Sequence, residues 1–330
     1  MAVMLFHYTV RFPQLYPTPH MPAVQFTHGD FGVDLFFGIS GFVIFMTLER
    51  TRRSLDFVVS RFARLWPAYL CAGLITYVAV HGMGLPGRDV TPAQALWNVT
   101  MLHDLLGAPS IDPVYWSLQV ELIFYFWMFL AYRTGALRHI GVWLWVALLP
   151  TVAYLISSML FHHELSYLLG TLLLVRYAPF FVIGIAAYRV RARGLHIADL
   201  ALIACATATA AAYLAPVDGL LAVGVSLVLL ALARGRLRWI ASGPLVFAGT
   251  IAYTLYLVHQ NIGYIVIREA ERRGVDVDVA IVIALLFAIA LATALTYVVE
   301  RPARDWLRDK YRDMQTLTAA DRAQRVPAKL

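Results

Sequence analysis

Long apolar segments recur along the whole chain, and they constrain its fold more than any other feature. Of 330 residues, 60% are hydrophobic and only 14% are charged, and the mean hydropathy is +0.68. Hydropathy predicts about ten membrane spans. They lie near residues 1–12, 33–48, 65–81, 114–132, 140–160, 170–188, 197–214, 217–233, 245–267 and 278–299. The sequence therefore predicts an all-α, polytopic transmembrane helix bundle.

Two apolar segments are too short to span. Twelve helical residues reach only about 18 Å, whereas the hydrocarbon core is roughly 30 Å thick. We therefore expect the first span, near 1–12, to be truncated; either it lacks its cytoplasmic half, or the true start lies upstream of Met1. Residues 94–107 are interrupted by polar side chains, which favours a re-entrant or interfacial segment.

Positive charge is concentrated in alternate connections. The connections 49–64, 133–139, 189–196 and 234–244 and the tail from residue 300 together hold 21 of the 27 Lys and Arg residues. The positive-inside rule then predicts that both termini are cytoplasmic and that the number of spans is even. Segments 13–32 and 82–113 are expected on the outer side. The net charge of +7 is spread over these connections rather than gathered in one patch, so no nucleic-acid partner is expected.

A carboxylate inside the fourth predicted span marks a candidate site. Glu121 lies within the apolar stretch 114–132, where a charge is costly and usually faces the bundle interior. Ser117, Glu121 and Tyr125 follow at intervals of four residues and so share one helix face. A carboxyl group that only bonds a neighbouring helix is the alternative interpretation. Trp116, beside Ser117, is either a stacking platform for a sugar or an interfacial anchor.

Depth along the spans brings further polar residues to one level. With the predicted topology, His7, Glu121 and His259 lie about 6, 10 and 12 Å inward from the outer ends of their spans. Ser40 of the second span lies at a similar depth, about 9 Å inward. A single buried histidine is usually a satisfied core residue. Polar groups of four spans at one depth instead predict a common site in the outer half.

A second candidate site lies at the cytoplasmic end of the third span. Arg61 and Arg64 form an R-x-x-R pair on one helix face, and Arg53 lies just upstream. Guanidinium groups bind phosphate oxygens in bidentate fashion, so this pair is suited to a phosphorylated ligand. The alternative is that these arginines only fix topology and bind anionic lipid headgroups.

Six stretches in fixed order resemble the membrane-bound acyltransferase family 3. They are MAVMLFHYT (1–9), GDFGVDLFFGISGFVIF (29–45), SRFARLWPAYL (60–70), YWSLQVELIFY (115–125), AYTLYLVHQ (252–260) and VVERPAR (298–304). The resemblance covers nearly the whole chain, and the joint order and spacing are highly specific. Two departures are the lack of the family's arginine upstream of the first-span histidine, and Ala252 where the family usually has serine.

The resemblance implies an O-acyltransferase of the bacterial inner membrane. Residues 1–302 would form the acyltransferase domain and residues 303–330 a polar, mobile cytoplasmic tail. Acyl-CoA, expected to be acetyl-CoA, would be the donor substrate. A hydroxyl of a cell-surface or lipid-linked carbohydrate would be the acceptor. No permanently bound cofactor and no metal are expected, and the partners are the two substrates and the lipid bilayer.

The same resemblance suggests roles for the candidate residues. Arg61, Arg64 and Arg53 would hold the phosphates of CoA. His7 would be the general base or a transient acyl carrier, oriented by Glu121. The other candidate catalytic or acceptor-channel residues are Ser117, Trp116, Tyr256 and His259.

Other functions are compatible with parts of the pattern. Polar groups in the outer half of a bundle also occur in transporters of small solutes or ions. The absence of a detectable inverted repeat weighs against a transporter. A scaffold or sensor derived from an enzyme would follow if the short first span is genuine. A secondary metabolite is the alternative acceptor.

Overall fold

The computed structural model describes residues 1–161, 166–214 and 216–325, and these form helices without strands. The first half of the chain contains α1 (2–15), α2 (Gly32–Arg50), α3 (Ser54–Met83), α4 (Pro92–Asn98), α5 (Trp116–Arg133) and α6 (Ile140–Phe161). The second half contains α7 (Tyr167–Leu172), α8 (Ala178–Arg193), α9 (Ile197–Tyr213), α10 (Pro216–Ala233), α11 (Gly243–Val258), α12 (Gln260–Arg272), α13 (Val277–Leu295) and α14 (Arg301–Arg325).

Several of these helices are suited to a bilayer. Among the described residues, five helical segments are long and apolar enough to cross a membrane: Gly29–Arg50, Ser54–Met83, Pro113–Arg133, Ala136–Phe161 and Val277–Leu317. Shorter apolar helices are Ile197–Tyr213, Val217–Ala233 and Gly243–Val258. The expectation of an all-α membrane bundle is therefore confirmed. The number of spans and the side on which each terminus lies stay predictions.

The centre of the bundle is the crossing of α2 and α8, which contact each other backbone to backbone. A Cβ atom on Gly184 would overlap the carbonyl of Gly38, and one on Gly41 would overlap the carbonyl of Phe181. Small residues permit such close approach between membrane helices, where dispersion contacts rather than hydrophobicity drive association. Almost every residue of α8 from Ala178 to Val190 is buried as a result.

We expect Gly184→Ala to destabilise the bundle by about 1–3 kcal/mol, the usual cost of overpacking a tight contact. The added methyl group meets main-chain atoms of α2, which cannot rotate away. Thermal unfolding in detergent would measure the effect. Gly82→Ala in α3 is the matched control, because no atom lies within 4 Å of its Cβ position. Equal melting temperatures for both variants would contradict the proposed close packing.

Two segments predicted on the outer side fold against the helices. Residues 16–31 follow α1 back toward its start: the N–H of Phe26 donates to Thr9 Oγ1 at 3.0 Å, and Gly29 lies against Ala2. Residues 84–115 return alongside the middle of α3, where the Tyr69 hydroxyl donates to the Asn98 carbonyl at 2.7 Å. The short helix α4 in this second segment does not span, in line with the expected re-entrant or interfacial segment.

The C-terminal region differs from the expectation. The tail was expected to be mobile from residue 303, but a π-helical turn, Thr296–Glu300, leads from α13 directly into α14. In α14, Tyr311 and Gln315 donate hydrogen bonds to Asp56 Oδ1 at 2.8 and 2.9 Å. These contacts fix the helix to α3, which composition alone does not reveal. Residues 326–330 of the predicted tail lie outside the described residues.

Candidate active site

His7 lies at the start of a π-helical turn in α1. The segment Ala2–Phe6 is α-helical, His7–Arg11 forms the π turn, and Phe12–Leu15 completes the helix. Single π turns inside α-helices occur frequently at functional sites, because the extra residue redirects side chains. The neighbouring Tyr8 is fully buried, whereas His7 is half-buried.

His7 and His259 are in direct contact. His7 Nδ1 lies 3.0 Å from His259 Nε2, and the two ring centroids are 5.1 Å apart. His259 is buried, and its Nδ1 lies 2.8 Å from the carbonyl oxygen of Tyr256. The expectation that depth brings His7 and His259 together thus agrees with the structure.

The hydrogen-bond partners determine the tautomers of both rings. The Tyr256 carbonyl can only accept, so His259 Nδ1 carries the hydrogen, and Nε2 of the neutral ring accepts. His7 Nδ1 must then be the donor to His259 Nε2. A neutral His7 consequently keeps the lone pair on Nε2. A histidine held in this way can accept a proton at Nε2, and the second histidine holds its ring as a carboxylate does in a hydrolase triad.

His259 is placed by an interruption of the helical hydrogen bonds between α11 and α12. The N–H of Asn261 donates to Asp112 Oδ2 at 3.0 Å instead of to the Leu257 carbonyl, which accepts the Tyr115 hydroxyl at 3.1 Å. Asp112 therefore replaces the Leu257 carbonyl as the acceptor for Asn261, and Tyr115 replaces the Asn261 N–H as the donor to Leu257. Burial raises the pKa of Asp112 to about 7, against the lowering effect of the amides that it accepts from.

Tyr8 of α1 also contacts the break between α11 and α12. Its hydroxyl donates to the His259 carbonyl at 2.6 Å, and its ring occupies the space where Gly263 has no side chain. Because Tyr8 and His7 are adjacent on α1, this contact also sets how α1 lies against α12. Sequence reasoning missed Tyr8, Asp112 and Tyr115. The only available signal for Asp112 was an acidic residue next to an apolar stretch.

Ser117 and Tyr256 lie about one helical turn from His259. The Tyr256 hydroxyl donates to the Val114 carbonyl at 2.8 Å and accepts from Ser117 Oγ at 2.7 Å. Both side chains were candidate site residues, and they touch each other. Tyr256 connects them to the histidine pair through its carbonyl.

Glu121 does not orient His7, contrary to the expectation. Its Oε1 accepts hydrogen bonds from Ser40 Oγ at 3.1 Å and from the Tyr125 hydroxyl. It lies one helical turn from Ser117 along α5, and His259 lies about one turn from Tyr256 in the opposite direction along the bundle. The carboxylate and the histidine pair are thus about 11 Å apart along the bundle axis. The predicted shared face of Glu121 and Tyr125 is present, but the predicted single layer is not.

The arginine pair lies on the side of Glu121 that faces away from the histidine pair. The guanidinium carbon of Arg61 lies 6.0 Å from the centroid of the Tyr125 ring, and its Nη2 donates to Ser60 Oγ at 3.2 Å. Its Nε is buried and has no hydrogen-bond partner among the described residues. Arg64 is exposed and acts electrostatically on Glu121. Arg53 is exposed and immediately precedes α3.

Arg308 of α14 joins this cluster, and sequence reasoning did not include it. Its Nη2 donates to Ser60 Oγ at 3.3 Å, the same oxygen that Arg61 contacts. Polar groups therefore continue from this arginine cluster through Glu121 and Tyr256 to His7. We call this series the polar column; its side chains are Arg61, Tyr125, Glu121, Ser40, Ser117, Tyr256, His259 and His7.

Trp116 lies beside the polar column but contacts a different group of residues. Its ring centroid is 5.3 Å from that of Tyr177 and 6.1 Å from that of Phe37. It is half-buried and lines a cavity toward α8 and α9. The structure thus brings His7, His259, Tyr256 and Ser117 together, and it separates Trp116 and Glu121 from the histidine pair.

Comparison with protein families gives a match over nearly the whole chain. A family model described as an acyltransferase domain matches residues 1–301, which includes every residue of the polar column. No curated protein and no solved structure gives a significant match. The match extends over far more than half of the chain. The protein is therefore a membrane acyltransferase, and it belongs to acyltransferase family 3.

Proposed function

We propose that this protein transfers an acyl group, acetyl in the simplest case, from cytoplasmic acyl-CoA to a hydroxyl of a cell-surface or lipid-linked carbohydrate. The observation that supports this most is the orientation of His7 by His259 and the Tyr256 carbonyl, which leaves the lone pair of His7 Nε2 free to accept a proton. An acceptor hydroxyl needs such a base to attack a thioester. Family membership supports acyl transfer over the transporter alternative.

The reaction can be balanced with His7 as the base. His7 Nε2 takes the proton of the acceptor hydroxyl, and the oxygen attacks the thioester carbonyl. The tetrahedral intermediate then breaks its C–S bond, and the imidazolium returns the proton to the leaving thiolate. An ester and free CoA are the products. In the alternative route, Nε2 attacks the thioester first and carries the acyl group to the acceptor.

Arg61, Arg64 and Arg53 are the proposed holders of the CoA phosphates, now with Arg308 beside them. The buried, unpartnered Nε of Arg61 supports this role, because a guanidinium N–H that lacks a protein acceptor is suited to a phosphate oxygen. From there the pantetheine arm would follow the polar column outward to His7.

We expect Arg64→Ala to raise the KM for acyl-CoA by roughly 10-fold with little change in kcat, the scale of one charge-assisted hydrogen bond. Arg64 is exposed, so its removal leaves the packing intact. Initial rates at varied acyl-CoA concentration measure this. Arg138→Ala, on another connection and also exposed, is the matched control. An unchanged KM for Arg64→Ala would contradict this role and would favour the alternative, in which Arg61 and Arg64 only fix the membrane topology.

The overall proposal is tested with radiolabelled acetyl-CoA and membranes that contain this protein. We expect label in a glycan fraction together with release of free CoA. Label in a small-molecule fraction would identify a secondary metabolite as the acceptor instead. No label in any product, with the protein present and folded, would contradict the proposal.

A further inference from the structure

A cavity of about 390 Å³ lies beside Trp116, apart from the histidine pair. It is a half-open cavity lined by residues of α5, α6, α7 and α9 and of the turn before α8, and its wall combines aromatic rings with polar groups. These residues are Trp116, Gln119, Tyr154, Tyr177, Tyr213 and Arg176. Ligand pockets typically have volumes of about 300–1,000 Å³. The cavity is therefore large enough for a small organic molecule.

Arg176 is presented to this cavity by a strained turn. Leu174 has a φ of +53°, a conformation that a non-glycine residue adopts at a cost of about 1–3 kcal/mol. The turn is held by Thr151, whose buried Oγ1 donates to the Val175 carbonyl at 2.6 Å. The surrounding helices thus maintain a backbone shape that is unfavourable on its own, and that shape places Arg176 and Tyr177 at the cavity.

The charge of Arg176 is not neutralised by a contact. Within residues 1–161, 166–214 and 216–317, it forms no ion pair. Its guanidinium carbon lies 5.6 Å from the centroid of the Tyr177 ring, and Asp34 is close enough to interact electrostatically. An exposed guanidinium at the rim of an aromatic cavity is available to an anionic ligand.

Gln119 supplies an oriented polar group in the cavity wall. It is 1% exposed, its Oε1 accepts the N–H of Leu105 at 3.2 Å, and one N–H of its Nε2 donates to the hydroxyl of Tyr167, another cavity residue, at 3.3 Å. Because the carbonyl end is occupied by a main-chain donor, the amide is held with its N–H₂ group toward the cavity. A side chain held in this way can donate to a ligand oxygen without first losing rotational freedom.

We infer that this cavity binds the acceptor, and that the acceptor is a saccharide with an anionic group. The aromatic rings offer flat apolar faces for the C–H faces of a sugar, the Gln119 amide a donor for a hydroxyl, and Arg176 a partner for an anion. The anion is either the carboxylate of a uronic acid or the phosphate of a glycosyl phosphate. This inference rests on the proposed function, because it assumes a carbohydrate acceptor.

Its place next to the polar column supports this assignment. Trp116 of the cavity is adjacent to Ser117, whose hydroxyl contacts Tyr256, and the Tyr256 carbonyl orients His259. A sugar that binds against Trp116 therefore lies beside the side chains that lead to His7. The donor enters the column at the arginine cluster, so the two substrates approach it from different places.

The test is equilibrium binding of defined sugars to the full chain in nanodiscs, without acyl-CoA. The probes are a glucuronic-acid disaccharide, glucose 1-phosphate and neutral maltose. We expect at least one anionic probe to bind at least 10-fold more tightly than maltose, and the one that binds identifies the source of the anion. Trp116→Ala and Arg176→Ala should each weaken that binding at least 10-fold.

Trp143→Ala and Arg234→Ala are matched controls, since both residues are exposed away from the cavity. Failure of every probe to bind, equal binding of maltose, or equal losses in the control variants would each overturn the inference. His7→Ala separates this inference from the proposed function. It should bind the sugar normally and fail to transfer. Normal binding by a protein that transfers no acyl group at all would contradict only the proposed function.

Discussion

Replacement of His7 by alanine is expected to lower acyl transfer by about 10²- to 10⁴-fold, the usual contribution of a general base. His7 is the residue of the pair whose Nε2 keeps its lone pair, because Nδ1 donates to His259. No other nitrogen in the polar column combines a lone pair with partial exposure. Release of CoA and labelled product, measured with saturating acetyl-CoA, gives the rate.

The control for this variant is His139→Ala, which removes an exposed histidine on the connection between α5 and α6 and should leave the rate unchanged. His7→Gln provides a second variant that keeps most of the volume of the side chain. Both His7 variants should elute as folded protein and bind acyl-CoA as before. A rate within a few fold of the unchanged protein in either variant would remove His7 from the chemistry.

Depth along the helices could be predicted from the sequence, and this explains which site residues were placed correctly. Hydropathy and the positive-inside rule give each span a direction and each residue a height. These predicted depths are similar for His7 and His259, and in the structure His7 Nδ1 lies 3.0 Å from His259 Nε2.

The direction in which a side chain faces could not be predicted in the same way. Glu121 shares a helix face with Tyr125 as predicted, but it faces Ser40 and Tyr125 rather than α1. Hydropathy reports how far a residue lies along a helix axis, not which neighbour stands next to it. The identity of that neighbour follows from packing, which here is set by the glycine contacts between α2 and α8.

Local irregularities were also beyond the sequence. The interruption at His259 depends on Tyr115 and Asp112, which are 142 and 149 residues away from their partners along the chain. The π turns at His7–Arg11 and Thr296–Glu300 contain no glycine or proline that would mark them in the sequence. A pattern of apolar residues predicts a regular helix, and only tertiary contacts determine where that helix departs from regularity.

Asp112→Ala is expected to lower kcat by about 10²-fold, the effect of misplacing a catalytic group by roughly 1 Å. Asp112 accepts the N–H of Asn261, so its removal allows α11 and α12 to close their regular hydrogen bond. His259 would then turn away from His7. The KM for acyl-CoA should stay unchanged, because the arginine cluster lies on the far side of Glu121. Asp89→Ala, an exposed carboxylate of the same segment, is the matched control.

A double variant distinguishes positioning from a general loss of structure. If Asp112 acts through the histidine pair, then adding Asp112→Ala to His7→Gln should cost little beyond His7→Gln alone, because residues that act as one unit are strongly non-additive. A further 10²-fold loss in the double variant would show that Asp112 acts independently of His7. Tyr115→Phe completes the series. It removes only the hydroxyl that donates to the Leu257 carbonyl, so it should lower kcat by less than Asp112→Ala does, with the same dependence on His7.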